Sequence, residues 1–274
     1  MLQLGVVLFH NSRRQLQLLV RSLELNRSLG DAPPFELAFF DNSASPELRD
    51  CVEDLAPGSG YRHAGANLGF GAAHNVLMTE AFARPAVRFY ICVNPDSVLH
   101  PQCLRQLVAE ATRSDASSTA GLVDARLFPE EHPKPYHPVS HETPWCTGTL
   151  LLVSRELHQA IGGFDERFFL YCEDVDLSWR ARFAGYHTRL APDALVHHHA
   201  EGRTIEKGRE LHVRRSAAYL ALKYGASAFA AERVREYEAL SGSSPELPPA
   251  PPQPEAARRH ADFRHLFHFA QPRW

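Results

Sequence analysis

The chain has 274 residues, with 29 lysines and arginines against 32 acidic residues and a formal charge of −3. Its 44% hydrophobic and 22% charged residues are typical of a globular protein and argue against a disordered or fibrous chain. The near balance of charge disfavours nucleic acid as the main partner, because phosphate binding needs a concentrated basic surface.

The first half of the chain alternates short apolar runs with amphipathic stretches, which is the pattern of βα units around a mostly parallel sheet. The predicted strands cover residues 4–9, 36–40, 61–64 and 87–93, and the predicted helices cover 12–25, 46–55 and a segment ending near 82. Asp41, Asn67 and Asp96 fall at the ends of three of these strands. Ligands of open α/β sheets bind outside the carboxyl ends of the strands, so these residues are expected on one rim.

The middle of the chain is less regular. Residues 129–144 are rich in proline and histidine and are predicted to form a long loop of the kind that often serves as a lid or binding loop. A strand over 149–153, a short helix ending at Gly162, an acidic helix over 173–184 and a strand over 188–196 are predicted to follow.

The C-terminal third differs in composition from the rest. One α/β domain is predicted over residues 1–204, then a helical segment over 205–242, a stiff proline-rich linker over 243–254 and a short amphipathic tail over 255–274. The tail carries Phe263, Leu266, Phe267 and Phe269, and residues 205–274 are mildly basic. This combination favours contact with a membrane surface or a partner protein.

The cysteines and the apolar runs bear on compartment. Five cysteines without a Cys-x-x-Cys pair favour neither a disulfide framework nor a thiolate zinc site. The longest apolar runs are far shorter than the ~20 residues that span a bilayer, and the first residues lack the features of a secretion signal. We therefore expect a cytoplasmic protein, with peripheral contact at the inner face of the plasma membrane as a hypothesis for the tail.

Two acidic groups could carry chemistry. Asp96 could bind a divalent cation, although Asn-Pro-Asp-Ser also favours an ordinary turn. Glu173, Asp174 and Asp176 begin a predicted helix, where acidic residues also stabilise the helix dipole. The apolar residues 168–171 just before them could raise a carboxyl pKa and so suit it to act as a general base.

Two further segments are weaker signals. The glycine-rich residues 67–75 could bring backbone amides close to a phosphate, but they match neither a P-loop nor a complete Gly-x-Gly-x-x-Gly. Within the triplet of residues 197–199, only His197 and His199 would share one face of a strand and converge on a metal. A solvated strand end is the competing explanation for the histidines.

The order of these signals is more specific than any one of them. The segments concerned are residues 7–11, 40–43, 67–71, 94–96, 162–169 and 173–182. In that order they resemble the family 2 glycosyltransferases with the GT-A fold, and within them the bacterial rhamnosyltransferase-like branch. The resemblance extends over residues 3–224, including Arg215-Ser216 and Lys223-Tyr224. It implies a Rossmann-like mixed α/β sheet flanked by helices, with a C-terminal helical extension.

The resemblance also implies roles. The chain would be an inverting enzyme that uses Mg²⁺ or Mn²⁺ to move a sugar, L-rhamnose from dTDP-rhamnose, to a polysaccharide or lipid-linked glycan. Asp174 would be the general base with Glu173 beside it, and Asp96 would hold the metal together with His197 or His199. The implied nucleotide-sugar contacts are His10, Asn11, Asp41, Asn67, Gly69, Gly71, Asn75, Asn94, Asp96 and Gly148.

Several alternatives stay open at this point. The same fold could serve as a catalytically inactive sugar-nucleotide or glycan-binding module, or could use another donor such as a UDP-hexose. A nicotinamide-dependent dehydrogenase is disfavoured by the missing third glycine, and a metallohydrolase would require a metal on the histidine triplet. His10 stands where tyrosine is frequent in the family, and the loop over 129–144 is unusual, which leaves the acceptor undefined.

Overall fold

The computed structural model describes residues 1–113, 120–198 and 207–264, together with the backbone of residues 271–272. Within this part of the chain, one mixed sheet has the strand order β3-β2-β1-β4-β7-β6-β8-β5, and β9 pairs with β6. The strands are β1 Leu2–Leu8, β2 Phe35–Asp41, β3 Gly60–His63, β4 Phe89–Val93, β5 Val98–Leu99, β6 Ala120–Glu131, β7 Leu150–Ser154, β8 His187–His198 and β9 Gln271–Pro272. The helices are α1 Arg13–Leu29, α2 Arg49–Leu55, α3 Phe70–Phe82, α4 Cys103–Ala111, α5 Arg155–Ile161, α6 Glu173–Phe183, α7 Lys207–Lys223, α8 Ser227–Ser241 and α9 Glu255–Arg258.

The parallel half of the sheet follows the sequence pattern. β1 lies between β2 and β4, and β3 extends the parallel set beyond β2. β1 and β4 are almost entirely buried because helices cover the sheet, as expected for parallel strands. The carboxyl ends of these four strands lie at one edge, and the following loops carry polar residues there, as the sequence predicts.

The helix that follows β1 shows how local sequence sets an element boundary. Ser12 accepts a hydrogen bond from the backbone of Gln15, and the Gln15 side chain accepts one from the backbone of Ser12, so a capping box begins α1. Leu16, Leu19 and Leu23 form its buried face against the sheet. This helix therefore begins where the sequence predicts it, and it extends four residues beyond the predicted end.

The second half of the sheet is where sequence and structure differ most. β7 pairs antiparallel with β4, and β6 lies between β7 and β8. β6 runs through Glu131, so the first residues of the predicted 129–144 loop are part of a strand. Pairing of Pro129 with β8, and of Glu130 and Glu131 with β9, holds these residues extended despite their low strand propensity. Helix α4 was not predicted.

The C-terminal segments pack on the rest of the molecule rather than standing apart from it. The predicted helical segment is two helices, α7 and α8, separated at Gly225, whose φ is +77°. In the proline-rich stretch, Leu247 and Ala250 pack against a core cluster that contains Trp179, and the Gln253 N–H donates to the Lys223 carbonyl. The domain boundaries proposed from sequence stay predictions.

Among the described residues of the predicted tail, only the four residues of α9 are helical. The Phe263 ring lies 5.1 Å from the Trp179 ring and 5.1 Å from the Phe229 ring, so this side chain packs against the core. Leu266, Phe267 and Phe269 lie outside the described residues, and the membrane contact of the tail stays a prediction. In the described part of the chain, no helix is both long enough and apolar enough to cross a membrane.

Candidate active site

A cavity of about 430 Å³ opens at the carboxyl ends of β1 and β4. Six residues proposed from the sequence line it: Asn11, Asn94, Asp96, Gly148, Glu173 and Asp174. The other walls come from Trp145, from residues 170–172 before α6, from His198 at the end of β8 and from Arg209 and Val213 of α7. The fold therefore brings together residues that are far apart in the sequence, and it includes the two acidic groups singled out above.

Asp174 is oriented by two backbone donors. The Gly148 N–H donates to Oδ2 and the Val175 N–H donates to Oδ1, each at 2.9 Å. The two residues before α6, Tyr171 and Cys172, have φ values of +69° and +67°, a conformation that costs energy for residues other than glycine. This sharp turn places the start of α6 at the cavity, with Asp174 aimed at the Gly148 turn.

The neighbouring carboxyls of Glu173 and Asp174 are both buried but differ in their hydrogen bonds. Burial raises the pKa of Asp174, but the hydrogen bonds from Gly148 and Val175 oppose that rise. Glu173 is 5% exposed, and its Oε2 makes no hydrogen bond to any described residue. Burial and the adjacent Asp174 charge raise the pKa of Glu173 well above its usual range. Of the two carboxyls, Asp174 therefore has the backbone donors that stabilise a negative charge, and the surroundings of Glu173 favour its neutral form.

Asp96 lies beside a histidine that the sequence did not single out. Its Oδ1 is 3.4 Å from Nε2 of His198. Burial lowers the pKa of His198, which favours the neutral imidazole that can ligate a metal. The antiparallel pairing of β5 with β8, with Val98 opposite His197, brings the end of β8 to Asp96.

The alternation of a strand separates the histidines of the triplet. His197 is exposed, does not line the cavity, and has its ring 6.3 Å from the Phe128 ring. His198 therefore takes the place beside Asp96 that the sequence assigned to His197 or His199, and His199 lies outside the described residues. Metal ligation itself stays a prediction.

The donor set at Asp96 fits a hard divalent cation. Mg²⁺ usually uses one or two carboxylates plus substrate phosphates, and Mn²⁺ also accepts oxygen and imidazole ligands. No three His, Cys, Asp or Glu side chains of the described residues converge on a metal position of their own. A cation at Asp96 and His198 would therefore need further ligands from a bound substrate, which suits a diphosphate.

Several residues predicted to touch the nucleotide lie at the rim of the sheet but outside the cavity. Asp41 is fully buried and accepts hydrogen bonds from the Tyr61 hydroxyl at 2.5 Å and the Ser43 N–H at 2.9 Å. The Asn67 Oδ1 accepts from the Gly69 N–H at 2.9 Å. His10 is exposed with φ +54°. These residues do not line the cavity, and their contact with a nucleotide stays a prediction.

The glycine-rich segment owes its composition to close packing. Gly69 has φ +86°, and a Cβ there would lie 2.2 Å from the Phe169 carbonyl oxygen. A Cβ on Gly71 would lie 2.8 Å from Phe164. Asn75 exchanges two hydrogen bonds with the Phe164 backbone, at 2.8 and 2.9 Å. These contacts hold α3 against the segment that leads to Asp174, which is a structural reason for all three residues.

Asp176, the third acidic residue of the cluster, belongs to a buried ion network. It is fully buried and pairs with Arg180 at 2.7 Å and with Lys223 at 2.6 Å. Lys223 also pairs with Asp165 at 2.7 Å. Although burial opposes it, the contacts of Asp165 with Arg167 and Lys223 lower the pKa of its carboxyl. This network ties α7 to α6 and explains why Lys223-Tyr224 accompanies the acidic motif.

Comparison with known proteins agrees with the family that the sequence resembles and with the fold described above. The sequence model of glycosyl transferase family 2 matches residues 6–176, well over half of the chain. The chain is 26% identical over 211 residues to an N-acetylglucosaminyl-diphospho-decaprenol L-rhamnosyltransferase of Mycobacterium tuberculosis, covering 63% of this chain and 69% of that one. It is 25% identical over 252 residues to the rhamnosyltransferase WbbL of Escherichia coli, covering 80% and 92%.

Solved structures show the same fold. A mannosyltransferase from Pyrobaculum calidifontis in complex with GDP-Man and Mn²⁺ superposes with a TM-score of 0.57 at 16% identity, covering 88% of this chain and 76% of that one. GalNAc-T7 with UDP, GalNAc and Mn²⁺ superposes with a TM-score of 0.60 at 12% identity, covering 82% and 50%. The mixed α/β sheet with flanking helices is thus the GT-A fold, as the sequence resemblance implied.

Proposed function

The chain belongs to glycosyl transferase family 2, and on that premise we propose that it transfers L-rhamnose from dTDP-rhamnose to a glycan or lipid-linked glycan acceptor. Its similarity to two rhamnosyltransferases supports the choice of sugar. The observation that carries the proposal is that Asp174 and the Asp96–His198 pair line the same cavity.

The cavity offers the two groups that an inverting transfer requires. Asp174 would accept the proton of the acceptor hydroxyl as that oxygen attacks the anomeric carbon and the bond to the nucleoside diphosphate breaks. A single displacement of this kind inverts the anomeric carbon and needs no covalent intermediate on the enzyme. The Gly148 N–H keeps the Asp174 carboxylate fixed for the approach, and general-base assistance typically contributes 10²–10⁴-fold.

Asp96 and His198 would hold Mg²⁺ or Mn²⁺ against the donor diphosphate. A divalent cation at that position supplies charge stabilisation to the departing diphosphate, which is worth several kcal/mol. The mannosyltransferase and GalNAc-T7 structures contain Mn²⁺ with a sugar nucleotide or its parts, which supports a divalent metal here. A lipid-linked acceptor would be met at the cytoplasmic face of a membrane, where the basic C-terminal tail is the segment proposed to make contact.

A panel of nucleotide sugars tests the proposed donor. We expect dTDP-rhamnose with Mn²⁺ to raise the melting temperature more than UDP- or GDP-sugars do, and to release dTDP slowly even without an acceptor. Stabilisation by a different nucleotide sugar would overturn the choice of rhamnose. Binding of a donor without any metal-dependent release or transfer would instead indicate an inactive binding module.

His198→Ala tests the metal site against a matched neighbour. Because Nε2 of His198 is 3.4 Å from Asp96, we expect the Mn²⁺ concentration for half-maximal activity to rise by roughly tenfold or more. His197→Ala removes an imidazole from the exposed face of the same strand and is expected to leave this concentration unchanged. Equal effects of the two substitutions on a Mn²⁺ titration would contradict the assignment.

A further inference from the structure

A buried ion pair lies next to the site and takes no part in the chemistry described above. Asp124 on β6 is fully buried, and the Lys134 side chain is 6% exposed, with 2.5 Å between Oδ2 and Nζ. A buried ion pair is a poor way to gain stability, because apolar residues of similar volume often do as well or better. The pair is therefore better explained by the backbone segment that it holds in place.

Both charged side chains form hydrogen bonds to the same short stretch of backbone. The Lys134 ammonium donates to the Trp145 carbonyl at 2.6 Å and lies 4.4 Å from the centre of the Trp145 ring. Asp124 Oδ2 accepts from the Thr147 N–H at 2.9 Å. The next N–H along the chain, that of Gly148, is the one that donates to Asp174. The ion pair and the general base are thus connected through the single turn over residues 145–148.

The chain around Lys134 is preorganised for this contact. Lys134 lies between Pro133 and Pro135, and proline fixes its own φ and restricts the preceding residue to extended conformations. The His132 ring packs edge-on against Trp145, with 5.2 Å between centres. The proline- and histidine-rich loop predicted from the sequence as a lid is therefore fastened to the 145–148 turn by Lys134.

We propose, on the basis of the function proposed above, that the Asp124–Lys134 pair is a positioning unit for the general base. It locks the 145–148 turn so that the Gly148 N–H stays aimed at Asp174, and it places the Lys134 positive charge near that carboxylate. The pair itself touches neither donor nor acceptor. Loss of the pair should therefore affect turnover more than donor binding.

The Lys134 charge also affects the pKa of Asp174, and the direction of this effect can be stated. The Lys134 charge lowers the pKa of Asp174, against the effect of burial. The other titratable or charged groups that line the cavity with Asp174 are Asp96, Glu130, His132, Tyr171, Cys172, Glu173, His198 and Arg209, and the Lys134 and Asp124 variants retain all of these side chains. Removing the Lys134 charge should raise the pKa of Asp174 and move the acid limb of the pH–rate profile to higher pH.

Lys134→Met and the double variant Asp124→Asn/Lys134→Met test the proposal. In Lys134→Met, kcat should fall by roughly ten- to a hundredfold, KM for the donor should change little, and the acid limb should move to higher pH. The double variant leaves no unpaired buried charge, and the amide oxygen introduced at position 124 can still accept from the Thr147 N–H, so it should fold well and recover part of kcat. Its acid limb should lie above that of the wild type but below that of Lys134→Met, since the Lys134 charge is missing while the opposing Asp124 charge is removed as well. A wild-type acid limb in both variants would overturn the electrostatic role.

Amide hydrogen exchange gives a measurement that does not depend on activity. Exchange in a peptide covering residues 145–153 should be faster in Lys134→Met than in the wild type. Lys223→Met is the matched control, because Lys223 is equally buried and paired with two carboxylates but does not contact this turn. Unchanged exchange at 145–153 in Lys134→Met, or the same increase in Lys223→Met, would overturn the positioning role. A wild-type protein without turnover on any nucleotide sugar would overturn the proposed function alone, since the exchange result stands apart from it.

Discussion

Asp174→Asn is expected to lower turnover by roughly 10²–10⁴-fold while leaving donor binding nearly intact. Asparagine keeps the size of the side chain, and its one amide oxygen can still accept the Gly148 hydrogen bond seen at 2.9 Å, although it then gives up the bond from the Val175 N–H. It cannot take up the acceptor proton. Single-turnover transfer rates and donor-induced melting shifts, measured on the same preparations, check the two halves of this expectation.

The direction of the Asp174 pKa shift predicts how the activity of the wild type depends on pH. Burial raises the pKa of Asp174, so the carboxyl stays protonated up to a higher pH than a free aspartate. A protonated carboxyl cannot act as a base. Activity should therefore rise as the pH rises through this pKa, and the rise should be absent from the residual activity of Asp174→Asn.

Glu173→Gln is the companion variant that decides between the two adjacent carboxyls. Burial and the Asp174 charge raise the pKa of Glu173 well above its usual range, which favours its neutral form, so an isosteric amide should change turnover much less than Asp174→Asn does. The opposite ranking of the two variants would make Glu173 the base. Near-normal turnover of Asp174→Asn by itself would show that the base has been wrongly assigned.

Asp96→Ala is expected to remove the metal-dependent part of donor binding. If Asp96 and His198, whose Oδ1 and Nε2 atoms are 3.4 Å apart, hold the cation, the alanine variant loses the only carboxylate of this pair. The charge stabilisation of several kcal/mol that the cation would supply to the leaving group is then lost as well. Turnover should then fall by at least about 10²-fold, and the extra melting shift that Mn²⁺ gives to the bound donor should disappear.

Asp96→Asn gives the control for this experiment. Asparagine keeps an oxygen at the same position but removes the negative charge, so it should retain more Mn²⁺-dependent stabilisation than alanine. The donor shift measured without metal should be similar in the wild type and both variants. An undiminished Mn²⁺-dependent shift in Asp96→Ala would place the cation elsewhere.

Much of the parallel half of the fold could be predicted because local pattern and burial agree there. β4 is a continuous apolar run and β1 is apolar except for Gln3, and the capping box of Ser12 marks the start of α1. The last three residues of β6 could not be predicted as strand, since Pro129, Glu130 and Glu131 have low strand propensity and owe their conformation to pairing with β8 and β9.

The candidate site divides in the same way. The acidic cluster could be found from sequence because it follows an apolar segment at the start of a helix, and the choice of Asp174 within it follows from the family resemblance. Which of His197, His198 and His199 faces Asp96 depends on the pairing of β5 with β8, and side-chain direction alternates along the strand. The glycines at 69 and 71 are only a weak phosphate-binding signal in sequence, and the structure gives them a packing role through close contacts with Phe169 and Phe164.

The sequence by itself determined the family, the GT-A fold and the two acidic residues on which the proposed chemistry depends, because the order of motifs and the apolar periodicity can be read along the chain. Only the tertiary structure decided that His198 lies beside Asp96 and that Asp41 accepts hydrogen bonds from Tyr61 and Ser43. It also decided that Asp124 and Lys134 bind the turn that faces Asp174. These contacts join segments distant in sequence, and their geometry follows from strand register and packing, which no local pattern specifies.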